Sequence, residues 1–168
     1  SDIAAEVGLA RTSLYRYFPH KSFILLRWLR RELDEQAAVS AQLLGDGDGD
    51  GLDPRARVEL WAEHQLDYAR RPEHALIRAL PDAERHLDEA QRAELADSHR
   101  RIAAPLDGAL RAAGLRPAEA RASARLLLAL VLTAADQEAA AGRADPVLRR
   151  RLRAAIGGLL GPGSDAGA

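Results

Sequence analysis

Apolar residues recur at three- and four-residue steps along almost the whole chain, which is the period of a helix with one buried face. No run alternates strictly as a half-buried strand does, and β-branched residues are sparse beside Ala, Leu, Arg and Glu. From Lys21 the sequence Leu26, Leu29, Leu33, Ala37, Ser40, Leu44 predicts one long helix, about 36 Å of rod if unbroken. The run GDGDGDG then breaks the pattern, so residues 45–53 read as a flexible linker. Asp53 and Pro54 supply the cap and first position of a second helix, with Val58, Trp61, Ala62, Gln65, Leu66 and Ala69 inward.

Pro72 opens a short helix to about residue 80, and Asp82 is placed to cap a long one running towards Gly114. Within it, Pro105 is expected to kink or break the backbone near Ala104 and so to open a cavity. The helix expected over residues 117–141 contains LLLALVLTAA, apolar on every side, which calls for burial all round and for cover from a second protomer. Gly142 ends it. Asp145 and Pro146 start the last helix, where Leu148, Leu152, Ala155, Ile156 and Leu159 form a further stripe. Two such helices from each of two subunits predict a homodimer joined through residues 117–141 and 145–160 as a four-helix interface.

The first 31 residues carry a different message. Ile3, Ala4 and Val7 share one face of a short helix, Gly8 lets the backbone turn, and Leu14 and Phe18 mark the inner face of a second helix, the layout of a helix-turn-helix. Between Val7 and Arg31 there are six basic residues and no acidic one, whereas the remainder holds 18 basic and 25 acidic residues. The net charge of -1 therefore hides a basic end on an acidic body, and a polyanion would be met by that end. Arg11, Thr12, Tyr15 and Arg16 fall on the side of the second helix away from Leu14 and Phe18. Arginine can bind guanine through O6 and N7, threonine offers a hydroxyl and a methyl, and tyrosine hydroxyls donate to phosphates.

The run Asp2-Ile3-Ala4, Gly8, Leu14-Tyr15-Arg16-Tyr17-Phe18 and Lys21 resembles the DNA-binding end of TetR-type transcriptional regulators. The resemblance implies that Leu9, Ala10, Arg11, Thr12 and Arg16 approach bases of double-stranded DNA. Tyr15, Tyr17 and Lys21 match phosphate contacts, and Lys21 also begins a helix whose first amides favour an anion. Two departures accompany it. In the family one more helix precedes this stretch, so the helix-turn-helix here is expected to be an incomplete remnant. Ala10 stands where the family often has a capping Ser or Thr, which shifts the cap to Thr12.

The resemblance also implies a small-molecule effector held among the central helices, and Trp61, Gln65, Tyr68, Ser98, His99 and Thr133 are the polar-tipped or aromatic residues placed to line its pocket. Other motifs fail on their own chemistry. Asp46, Asp48, Asp50 and Gly51 copy the start of a calcium loop, but its twelfth position is Arg57 and not a bidentate Glu. Arg149, Arg150, Arg151 and Arg153 read as a solvated charge run. His64 near Asp67 and Tyr68 has no HxxxH partner, there is no cysteine, and no phosphate loop or nucleophile signature occurs. No metal, cofactor or enzymatic activity is therefore expected. The longest apolar run, residues 126–135, is half of a roughly 20-residue span, so no membrane segment is expected, and the absence of cysteine fits the cytoplasm.

These readings combine into an all-α chain with an N-terminal helix-turn-helix remnant and a C-terminal helical ligand-binding and dimerisation bundle. Residues 1–44 form the DNA-binding end with its connecting helix, 45–53 the linker and 54–168 the regulatory and dimerisation domain. The expected function is a homodimeric DNA-binding regulator, a repressor released from an inverted-repeat operator by its effector. The alternative is an all-helical dimeric interaction protein whose helix-turn-helix no longer binds DNA.

Overall fold

The computed structural model describes residues 21–45, 51–72 and 87–161. Among them the elements are all helical: α1 (Lys21–Leu44), α2 (Pro54–Ala69), α3 (Glu89–Ala112), α4 (Pro117–Ala141) and α5 (Pro146–Leu160). The short helix expected after Pro72 and most of the 45–53 linker fall outside the described residues. No described helix is long and apolar enough to cross a membrane.

The caps explain where the helices begin. Asp53 is extended and its Oδ1 accepts from the Ala56 amide at 2.7 Å, with Pro54 following at a position where no amide is needed. Asp145 repeats the device, accepting from the amides of Val147 at 2.9 Å and Leu148 at 3.1 Å. Gly142 leaves α4 in the left-handed region, φ 65°, which a side chain would disfavour.

The third helix starts later than its periodicity suggested. Asp88, and not Asp82, caps it, and residues 87 and 88 are outside the helix. The reason is reciprocal pairing: the Gln91 amide donates to Asp88 Oδ1 at 2.8 Å, and the Asp88 amide donates to Gln91 Oε1 at 3.1 Å. Asp82 has Arg85 three residues on and cannot form such a box. The expected break at Pro105 is also absent, for α3 continues through it to Ala112. Packing on both sides holds it: Ile102 and Leu95 lie against α1, while Leu106, Ala109 and Leu110 are buried in the main core.

That core is built on Trp61, Leu66 and Val58 of α2, Leu106 and Leu110 of α3, Leu127 and Val131 of α4, and Leu152 and Ile156 of α5. A smaller cluster, Leu29 and Leu33 with Leu26, Trp28, Leu95 and Ile102, joins α1 to α3. The apolar centre of α4 is not buried all round within this chain. Leu127, Val131, Ala134 and Ala135 face the core, but Leu126 is 57% exposed, Leu132 53% and Leu130 43%. With 3.6 residues per turn, α4 cannot turn all its leucines towards one set of neighbours.

A charged cluster fastens α2, α4 and α5. The Glu138 side chain has no exposed surface, and Arg149, only 15% exposed, reaches its two oxygens at 2.8 and 2.6 Å. The same guanidinium donates to Glu63 of α2 at 2.6 Å and to Asp67 at 2.7 Å. Arg153 adds a bond to Glu63 at 3.0 Å, and the Asp145 amide donates to Glu138 Oε1 at 2.9 Å. The Arg149 hydrogen bond holds the Glu138 carboxyl below the usual carboxylate range despite its burial. Arg70 Nε also stands 3.3 Å from Glu138 Oε2, but Arg149 supplies the side-chain hydrogen bonds to that carboxylate, so Arg149→Leu should cost about 3–5 kcal/mol in a urea titration. Adding Glu138→Leu should recover most of that loss, and a double variant as unstable as the single one would contradict the account.

Candidate functional site

The chain's functional geometry centres on α1, because this helix continues from the basic N-terminal stretch into the body. Lys21 opens it; its side chain, and residues Leu9, Ala10, Arg11, Thr12, Tyr15, Arg16 and Tyr17, lie outside the described residues. What the structure does describe is how α1 is held.

Three polar side chains on α1, Glu32, Gln36 and Ser40, stand four residues apart on one face. Each meets a side chain of the antiparallel α2. Trp61 Nε1–H donates to Ser40 Oγ at 3.0 Å, His64 Nε2–H to Gln36 Oε1 at 2.9 Å, and the Tyr68 hydroxyl to Glu32 Oε2 at 3.4 Å. Ser40, Gln36 and Trp61 are buried, so an unpaired group here would bear its full desolvation cost. His64 and Tyr68 rings stack at 6.5 Å, and the Arg71 guanidinium lies 5.5 Å from the Tyr68 ring centre. Burial first, and then the Glu32 charge, push the Tyr68 hydroxyl up to about 12. Burial, followed by the Arg71 charge, pulls the His64 imidazole below its ordinary value, with Asp67 opposing. Neutral His64 is thus the form that the fold prefers.

A second feature lies between α1 and α3. A cavity of about 850 Å³ is lined by Phe23, Leu26, Leu87 and Leu95 together with charged residues of both helices. Arg30 bridges to Glu94 of α3 at 2.6 Å, Arg31 pairs with Glu35 at 2.9 Å, and Arg101 of α3 reaches Asp34 at 2.8 Å.

The residues that the sequence placed in an effector pocket are distributed over several surroundings. Trp61 and Tyr68 belong to the polar ladder between α1 and α2. Gln65 is half-buried with its Nε2 unpaired. Ser98 is buried beside the α1–α3 cavity and accepts from Arg101 Nη2 at 2.9 Å. Thr133 is on the exposed face of α4, its hydroxyl donating to the Ala129 carbonyl at 2.8 Å. The His99 backbone is in α3, and its side chain is not among those described. Thr133 is therefore not gathered with the others. Sequence reasoning missed the α1 side of the ladder, Glu32 and Gln36, although polar residues at four-residue steps beside an apolar stripe were a readable signal. Among the described residues no group of acidic and histidine side chains could hold a metal ion.

The crystal structure of a TetR transcriptional regulator from Legionella pneumophila superposes with a TM-score of 0.69, covering 92% of this chain and 82% of that one at 18% identity. The fold is that of a TetR-type regulator. No protein-family model matches the sequence, and no curated protein matches it. At this identity the likeness concerns the arrangement of helices, and in it the all-α expectation is met.

Acidification tests the ladder. Because the folded value of His64 is depressed, its stability contribution is whole above the ordinary value of 6.5 and declines as pH falls below it. His64→Gln keeps an amide donor for Gln36 and should flatten the fall of the unfolding midpoint between about pH 6.5 and 5 relative to the parent. Parallel curves for the two proteins would refute the assignment. Ser40→Ala, which leaves the Trp61 indole N–H unpaired, should cost about 1–3 kcal/mol in denaturant titrations.

Proposed function

We propose that this protein is a DNA-binding transcriptional regulator that acts as a homodimer and is released from an inverted-repeat operator by a small-molecule effector. The observation carrying the reading is the TetR-type helical arrangement, with α1 following directly on the basic N-terminal sequence. Leu9, Ala10, Arg11, Thr12 and Arg16 read bases, and Tyr15, Tyr17 and Lys21 hold phosphates. Residues 1–44 serve as the DNA-binding end and 54–168 as the sensing and dimerising body.

The exposed face of α4 supports the dimer. Ala122, Leu126, Ala129, Leu130 and Thr133 follow at helical spacing and are all exposed. On α5, Val147, Ala154 and Gly158 are exposed at compatible spacing, and their small side chains permit close helix approach. A two-fold axis through this face would bury Leu126 and Leu130, which the single chain leaves exposed. Leu126→Glu with Leu130→Glu should shift sedimentation from dimer to monomer, and a monomeric parent at micromolar concentration would exclude this interface.

An effector would act through α1. DNA fixes the spacing of two recognition helices near one turn, about 34–36 Å or a multiple. A ligand that displaces α1 changes that spacing and loses phosphate and base contacts together. Selection of bound sequences from random duplex DNA with the full-length protein should enrich an inverted repeat. Lys21→Ala should weaken all duplexes and reduce the salt slope by about one phosphate contact, whereas Arg16→Ala should also alter the preferred sequence. No enrichment in the selection would reject the regulator and favour a helical interaction protein.

A further inference from the structure

The exposed side of α4 carries opposite charges at the two ends of an uncharged stretch. Arg125 and Asp136 are both exposed, and their spacing brings them within about 20° of the same face, about 16 Å apart along the helix. That distance forbids an ion pair between them in one chain, and among the described residues neither has such a partner. Residues 126–135 between them include no charged residue. Leu126, Ala129, Leu130 and Leu132 are exposed there. Thr133 turns its hydroxyl back to the Ala129 carbonyl at 2.8 Å, so it adds no unpaired donor to the stretch.

We infer that α4 pairs with α4 of a second copy in one antiparallel register, with Arg125 of each chain bonded to Asp136 of the partner subunit. The inference rests on the homodimer proposed above and adds the residues that set its orientation. A two-fold axis across α4 makes the copies antiparallel, so that residue i meets j where j meets i. The uncharged stretches overlap fully when the axis passes between positions 130 and 131, and this sets Arg125 level with Asp136 at both ends. Charge points to the same arrangement: a parallel pair would set Arg125 against Arg125 and Asp136 against Asp136, whereas the antiparallel pair makes two complementary contacts. A shift of four residues in one direction sets Arg125 against Ala140 and loses both contacts. In the other direction it sets Arg125 against Leu132 and gives Asp136 to Arg121 instead. The ion pairs lie at the edge of an apolar patch, so they select the arrangement while burial of the leucines drives association.

The test is sedimentation equilibrium of the full-length protein. Arg125→Asp and Asp136→Arg should each weaken the dimer about tenfold or more, since either change makes two like-charge contacts at once. Combining Arg125→Asp with Asp136→Arg in one chain should return the dissociation constant close to that of the parent. Mixing the two single variants should give heterodimers, in which both contacts are again complementary, and this recovery shows that each variant is folded. Arg121→Asp, one turn outside the register, should weaken the dimer less than Arg125→Asp. Single variants that dimerise like the parent, a double variant no tighter than the singles, a mixture without heterodimers, or a larger effect of Arg121→Asp would each overturn the inference. With a dimeric parent any of these results leaves the homodimer standing in another register, whereas a monomeric parent rejects the homodimer and this pairing together.

Discussion

A carboxylate with no exposed side-chain surface can remain ionised only beside a fixed cation, and Glu138 meets that condition through Arg149. The pair does more than neutralise itself. Since Arg149 also holds Glu63 and Asp67, the consecutive helices α4 and α5 are tied at one guanidinium to α2, which is distant in sequence. Displacing the bonds to Glu138 would leave a buried charge in a poor environment. The apolar core around Trp61 and Leu127 packs beside this charged cluster.

The attachment of α1 is of another kind. It contributes Leu29 and Leu33 to a small cluster with α3 and Leu44 to the main core, while along the rest of α2 it meets a row of neutral and singly charged polar groups. Hydrogen bonds of this sort have modest net value when made and a large cost when left unmade. A helix held in this way is well located yet replaceable in its partners.

Much of this organisation was legible in the chain. The bounds of α1, α4 and α5 follow from Lys21, Pro117 and Pro146 at their starts and from the glycines 45, 142 and 161 that succeed them. The start of α3 was misplaced because two aspartates, 82 and 88, both precede helix-forming residues, and only the second finds a Gln three residues later to return its hydrogen bond. Pro105 misled for a different reason: local backbone preference was outweighed by burial of Leu106 and Leu110 immediately after it. The Arg149 cluster was invisible, since a row of arginines reads as a solvated face until Glu63 and Glu138, 86 and 11 residues away, are brought to it.

The four-residue spacing of Glu32, Gln36 and Ser40 has a mechanical consequence. If α1 slid along α2 by one turn, about 5.4 Å, Gln36 would stand opposite Tyr68 and Ser40 opposite His64, and only Trp61 would face an apolar residue, Leu44. A slide of half a turn would instead leave all three donors between acceptors. The interface therefore behaves as a ratchet with teeth one helical turn apart, so displacement of α1 along α2 would occur in a discrete step and not as a gradual drift.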